Sequence, residues 1–221
     1  MQVRTRHTPT FGVARLLLAP GEGVQAAPGA MVATSYGVGV DRAGATAFRA
    51  LAKSWKDAEV FTAPAEGGWV DLTAHLPGDL YVIELDGSSG WCLARDGWLA
   101  AASTVALESA WPGFRTMFGG DVGFLAHGNG LGPLVLRCYG AVDLVTLGAG
   151  ELISVDPGHL VAFPDTMQCR LRAVNQDVSQ SVRTGEGLVL DFAGPGQLVT
   201  QTRSPRMLAG WLASQLRDAR T

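Results

Sequence analysis

Four histidines, three cysteines and one glycine-dense run are the residues of this chain whose types could do chemistry. His7, His75, His127 and His159 each stand alone, with no HxH, HxxxH or HExxH spacing. A cupin-type metal enzyme sets two histidines and a glutamate close together on one strand pair. That cluster is missing from the sequence, so a metal centre would require isolated histidines to converge in space. Cys92, Cys138 and Cys169 are odd in number, widely spaced and set in apolar segments without a CxxC pair. Buried free thiols in a reducing compartment are expected from that pattern, and a structural zinc site is not. Gly128-Asn129-Gly130-Leu131-Gly132 has the glycine density of a phosphate loop. A phosphate cradle needs amides at a helix N-terminus, yet this run leads into the strand-like Leu134–Leu136 and no Gly-Lys-Ser/Thr follows. It is read as a turn. There is no Gly-x-Ser-x-Gly elbow, and Glu151 and Asp156 lie at turns, where carboxylates accept backbone hydrogen bonds. No catalytic residue, metal or cofactor is expected.

The elements that would position these residues are short strands. Phe11–Leu18 runs into Pro20-Gly21-Glu22-Gly23, and Leu80–Leu85 ends at Asp86-Gly87, a strong hairpin signal before Trp91–Ala94. Leu134–Tyr139, Val142–Leu147, Leu152–Val155 and Leu160–Phe163 continue the pattern. Turn signals about every 8 to 12 residues argue for an all-β sandwich or barrel. One phrase occurs three times: Pro28-Gly29-Ala30-Met31-Val32-Ala33, Asp96-Gly97-Trp98-Leu99-Ala100-Ala101 and Pro157-Gly158-His159-Leu160-Val161-Ala162, with glycines 68 and 61 residues apart. A second series begins at Gly68, Gly132 and Gly187, with spacings of 64 and 55. Two interleaved series of similar period predict three copies of a β-unit of roughly 60 residues.

Two segments carry a helical period instead. Phe48, Leu51, Ala52 and Trp55 fall at i, i+3, i+4 and i+7 within Thr46–Trp55, a short connector helix. At the C-terminus Ser204 suits an N-cap and Pro205 the first helical position, while Met207, Leu208, Trp211, Leu212 and Leu216 form one apolar face. That face is expected to pack on the chain's own β-domain. The tryptophans (Trp55, Trp69, Trp91, Trp98, Trp111 and Trp211) are read as core and interface packing.

Composition bounds the function classes. Of 221 residues 47% are apolar, 17% are charged and 29 are glycine, a balance suited to a packed core with many turns and unsuited to disorder. The net charge of −3 and the lack of a basic stripe disfavour nucleic acid as a partner. Arg15 and Glu22 interrupt any signal-peptide core, and no apolar stretch reaches the ~18 to 20 residues of a membrane helix. A cytoplasmic protein without a membrane span is expected.

The stretch from Gly185 to Ser204 (Gly185-Glu186-Gly187-Leu188-Val189-Leu190-Asp191-Phe192-Ala193-Gly194-Pro195-Gly196-Gln197-Leu198-Val199-Thr200-Gln201-Thr202-Arg203-Ser204) is the most specific phrase in the chain. With Tyr139-Gly140, Gly150-Glu151, Val155-Asp156, His159–Phe163 and Pro28–Met31, it resembles the altered-inheritance-of-mitochondria protein 24 family over nearly the whole length. The positions that carry the resemblance are Gly29, Gly97, Gly140, Asp156, Gly158, His159, Gly185, Glu186, Gly187, Gly194, Pro195, Gly196, Gln201, Thr202 and Arg203, read as structural. The chain departs from the family pattern around Trp55–Glu66, where Asp57-Ala58-Glu59-Val60-Phe61 stands.

The resemblance implies a threefold duplication of a small β-sandwich unit, similar to the tryptophan-RNA-binding attenuator protein fold, a short double-stranded β-helix. Three such chains are expected to close a homotrimeric ring of nine units. Family members are thought to act without catalysis, and the mitochondrial branch supports inner-membrane organisation, a role too distant to transfer. The expected organisation is a single β-domain over residues 1–203, in repeats of about 8–58, 59–120 and 121–203, followed by an amphipathic helix over 204–221. The expected function is a non-catalytic homo-oligomeric scaffold or binding protein. The alternatives are an RNA- or small-ligand-binding protein, by fold analogy, and a cupin-like metal enzyme.

Overall fold

The computed structural model describes residues 1–42, 58–109, 111–119, 123–174 and 187–218. The connector helix expected over Thr46–Trp55 lies outside these residues. What they show is predominantly β, with two helices.

The strands fall into three consecutive groups. The first holds β1 (Gln2–Arg6), β2 (Val13–Leu18), β3 (Gly23–Ala26), β4 (Met31–Thr34), β5 (Gly39–Arg42), β6 (Glu59–Thr62) and β7 (Gly68–Thr73). Here β2 and β4 flank β7, while β3 and β5 flank β6. The second holds β8 (Leu80–Asp86), β9 (Trp91–Ala94), β10 (Trp98–Ala102), β11 (Val105–Glu108), the short helix α1 (Gly113–Phe118) and the long β12 (Leu125–Arg137). β8 and β10 flank the later half of β12, and β9 and β11 flank its earlier half. The third holds β13 (Val142–Leu147), β14 (Leu152–Val155), β15 (Leu160–Pro164), β16 (Gln168–Ala173), β17 (Leu188–Ala193), β18 (Gly196–Gln201) and the helix α2 (Pro205–Asp218). β13 and β15 flank β18, while β14 and β16 flank β17.

Among the described residues two strand pairings join the groups: β3 pairs with β10, and β9 with β15. The resulting 11-stranded sheet resolves into two six-stranded sheets that share β12. One runs β5-β6-β3-β10-β12-β8 and the other β11-β12-β9-β15-β18-β13. The four-stranded β1-β2-β7-β4 and the three-stranded β14-β17-β16 stand apart from both.

The glycine-dense run is the point where β12 passes from one sheet to the other. The Arg95 amide bonds the Phe124 carbonyl, and two residues later the Gly97 carbonyl accepts from the Arg137 amide. The two ends of β12 are therefore close, and the strand folds back across Gly128–Gly132, with φ of 134° at Gly130 and 110° at Gly132.

Two sequence expectations are corrected by this pairing. Asp86-Gly87 does not reverse the chain into a hairpin, because β8 and β9 do not pair with each other. Both run antiparallel along the same β12, Asp86 opposite Leu131 and Trp91 opposite Gly128, and the residues between them round the bend. The second glycine series closes on Gly196 rather than Gly187. Gly196 faces Leu147 across β18 and β13, as Gly132 faces Leu85 and Gly68 faces Leu18. The spacing is then 64 residues twice.

The phrase that occurs three times marks a β-bulge in all three groups. The register slips between Met31 and Ala33, between Trp98 and Ala100, and between Leu160 and Ala162. The bulged residue follows Gly29 and Gly158 by three positions but Gly97 by two, so Gly97 sits one place out of step.

Two apolar clusters fill the interior. The larger spans the first and second groups, around Leu16, Leu72, Leu99, Leu107, Leu134 and Leu136, and reaches Val161, Ala162 and Val199 of the third. The smaller joins α1 to the third group through Phe114, Phe163, Leu190, Phe192 and Leu198. In α2, by contrast, Met207, Trp211, Leu212 and Leu216 are 69%, 58%, 46% and 66% exposed. The expectation that this face packs on the chain's own β-domain fails: the apolar stripe runs out into solvent. Among the described residues no helix is long and apolar enough to cross a membrane.

Candidate functional site

The positions that carry the family phrase gather at one end of β18, and their groups are taken up by one another. Gln201 Oε1 accepts from the Tyr139 amide at 2.8 Å, and its Nε2 donates to the Gly158 carbonyl at 3.0 Å. Thr202 Oγ1 accepts from the Ala141 amide, while the Thr202 amide donates to the Ala141 carbonyl. Asp156 Oδ1 caps the Gly158 amide, and His159 Nδ1 lies 2.8 Å from the Gln201 carbonyl. A Cβ at Gly140, where φ is 80°, would overlap Thr202 Oγ1. The Arg203 amide bonds the Tyr139 carbonyl, leaving the guanidinium at the surface. This is a clamp between the start of the third group and its last strand.

The remaining positions lie apart. The Gly29 amide donates to Glu59 Oε1 at 3.3 Å, and Gly97 turns against the Ala94 carbonyl. Gly187 accepts from the Val174 amide, and Gly194-Pro195 form the link into Gly196. Gly185 and Glu186 lie outside the described residues.

Two charged arrangements were not legible as sites in the sequence. His127 Nε2 lies 2.8 Å from Asp165 Oδ2, with both side chains largely buried. The same oxygen accepts from the Gly90 amide at 3.0 Å. The Trp111 ring stacks flat on the imidazole at 4.0 Å between centroids and closes it from solvent. A methyl at Gly90 would overlap His127 Nε2 and lie 2.9 Å from Asp165 Oδ2, so glycine is what admits the pair. A histidine oriented by a carboxylate is the base half of a nucleophilic triad. Here the nearest thiol in register, Cys92 opposite His127, is pushed well above its ordinary pKa by burial.

The other two thiols behave alike. Burial pushes Cys138 and Cys169 up to about 12, and all three cysteines are free and buried. The expected buried thiols are thus found. Among the described residues no three of His, Cys, Asp and Glu come together as metal ligands.

The second arrangement is Asp71, 2% exposed on β7. Val135 and Val199 hold the corresponding register positions opposite Ala100 and Ala162, as Asp71 does opposite Ala33. Arg15 reaches Asp71 through Nε and Nη2, both at 2.8 Å, and Arg6 Nη2 through 2.6 Å. Arg15 also lies 4.0 Å over the Trp69 ring. The Arg15 guanidinium, with Arg6 beside it, holds the Asp71 carboxyl below the usual carboxylate range.

A cavity of about 820 Å3 opens beside β14, β16 and β17 against α1. Met117, Leu152, Met167 and Phe192 give it apolar walls, and Arg170, Arg172, Asp191 and Ser154 a polar rim. Arg172 and Ser154 both hydrogen-bond Asp191 and hold its carboxyl below the ordinary range. Asp165 reaches the same cavity, so the buried His127 pair backs it.

Comparison with known proteins agrees with this architecture. The profile of the family described as mitochondrial biogenesis AIM24 matches residues 3–203. An uncharacterized protein of Streptococcus pyogenes serotype M6 is 29% identical over 155 residues, or 67% of this chain. Those residues make up 60% of that relative's length. A crystal structure of another Streptococcus pyogenes protein superposes with a TM-score of 0.78 at 23% identity, covering 97% of this chain and 99% of that one. At that identity the likeness is one of fold.

Proposed function

Since the chain belongs to the AIM24 family, we propose that it is a non-catalytic cytoplasmic protein that associates with copies of itself and acts as a scaffold or binding surface. In this reading the β-domain is three copies of one double-stranded β-helix unit, over about 8–58, 59–120 and 121–203. Three chains would then form a homotrimeric ring. The recurring strand scheme supports the triplication, since in each group, counted in the first from β2, the first and third strands flank the last and the second and fourth flank the fifth.

The observation that carries self-association is the fate of equivalent strand edges. β3 and β10, which meet inside the chain, are buried throughout, whereas β4 and β14 lie open. Unpaired apolar edges are templates for another chain. The His127 imidazole, covered by the Trp111 ring, and the three suppressed thiols support the absence of catalysis.

Native mass measurement at micromolar concentration tests this reading. A discrete oligomer is expected, and a monomer overturns it.

The 820 Å3 cavity favours a second reading, in which a small amphipathic ligand sits between the Met117–Met167 wall and the arginines of β16. Denaturing mass spectrometry of the purified native protein would reveal a stoichiometric small molecule.

A further inference from the structure

We propose that β14 of one copy pairs antiparallel with β4 of the next, placing Val155 opposite Ala33, Ser154 opposite Thr34 and Ile153 opposite Ser35 of that copy. The inference rests on the self-association reading and specifies its junction.

The register comes from the two junctions inside the chain. Ala26 of β3 faces Ala100 of β10, and Leu93 of β9 faces Ala162 of β15. Ala100 and Ala162 each come directly after the bulge of their strand, a place that Ala33 holds in β4. Ala26 and Leu93 each stand five residues before the start of the next strand, at Met31 and Trp98. Val155 stands five before Leu160 in the same way. Transferring the pairing leaves one assignment, Val155 to Ala33. The first junction also carries a bond from the Ala27 amide to the carbonyl of the bulged Leu99. Its counterpart runs from the Asp156 amide to the Val32 carbonyl of the next copy.

Sheet arithmetic leads to the same place. Each junction inside the chain completes a six-stranded sheet, half from each of two groups. The sheets left over are β14-β17-β16 and β1-β2-β7-β4, the latter being a three-strand half with β1 added at its far side. Joined through β14 and β4, they form a third sheet of the same design.

The side chains agree. Leu152, Val32 and Met31 are 73%, 53% and 49% exposed, and neither strand carries a charge or a proline that would protect a permanent edge. The contact is head-to-tail, so each copy offers both halves and the assembly can close on itself.

The test is a disulfide between Ser154→Cys and Thr34→Cys in one chain, oxidised at low concentration, with Ser154→Cys/Met31→Cys as the out-of-register control. The native thiols are buried and give little background. Disulfide-linked oligomers are expected from the first pair and none from the control. Directly opposed residues meet the ~4.4 to 6.8 Å Cα separation that a disulfide requires. Hydrogen exchange of the unmodified protein supplies a readout that needs no variant: amides of residues 31–35 and 152–156 should exchange slowly in the assembly. An oligomeric native mass without the cross-link, or with fast exchange at both strands, overturns the junction and leaves self-association standing. A monomeric native mass overturns both.

Discussion

His127 and Asp165, 38 residues apart in sequence, meet at 2.8 Å beneath the ring of Trp111. The pair is a structural strut: Asp165 bonds both the imidazole and the Gly90 amide, so it ties β12 to the bend between β8 and β9. Asp165→Ala leaves two buried donors without a partner and should cost about 2 to 6 kcal/mol, from roughly 1 to 3 for each unsatisfied group. Gly90→Ala should also destabilise, because its methyl overlaps the imidazole. Urea unfolding monitored by circular dichroism measures both.

Asp71 gives a pH-dependent contribution of known sign. Its carboxyl is held low by Arg15 and Arg6, so the stabilisation is fully present above the ordinary carboxylate value of about 3.9. It is lost as the pH falls through the depressed native value. Asp71→Asn should therefore cost about 2 kcal/mol at pH 7, the scale of charge-assisted hydrogen bonds. The gap to the unmodified protein should close as the pH falls below the ordinary carboxylate range and through the depressed native value. Thermal melts across that range should show a Tm difference of roughly 4 to 8 °C at neutral pH shrinking towards zero.

The cysteines should be silent in the native state. With Cys138 and Cys169 raised to about 12 and Cys92 raised by the same cause, the thiolate fraction at pH 8 is negligible. Ellman's reagent should titrate none of the three thiols in the folded protein and all three in guanidinium chloride.

The apolar stripe of α2 contributes little to the fold that carries it. Trp211→Ala and Leu212→Ala should each change unfolding free energy by less than about 0.5 kcal/mol, the range of ordinary surface substitutions. A loss several times larger in chemical denaturation would place the stripe in a stabilising contact.

Much of the architecture was legible because turns leave glycine in the sequence. The threefold phrase located a real bulge in each group, and apolar runs located the strands. What failed was what a short apolar strand does not encode. Leu188–Ala193 follows a glycine and Gly196–Gln201 begins on one, and nothing in their patterns says which one flanks β13. Asp86-Gly87 has hairpin chemistry, but the partner that decides the matter is β12, more than forty residues on. The α2 pattern announces an apolar face without saying what covers it.

The site residues divide the same way. Gln201, Thr202 and Asp156 were recognisable as a phrase, while their work as a backbone clamp depends on Tyr139 and Ala141 some sixty residues earlier. His127 and Asp165 have no spacing to notice. Asp71 did leave a signal: a lone carboxylate in the apolar run Gly68–Leu72, matched by Arg15 in the apolar run Phe11–Leu18.

The folded-back β12 makes the middle of the chain intolerant of length change. In the first group residues 63–67 separate β6 from β7, and in the third Gly194 and Pro195 separate β17 from β18. Either linker can gain or lose a residue without altering the parity of the strands beside it. Within β12 there is no linker, and one strand sets the inward face of two sheets at once. One residue inserted between Gly128 and Gly132 would turn every side chain of one half outward relative to the other. Natural insertions and deletions in this family should therefore collect at the two linkers and avoid the bend.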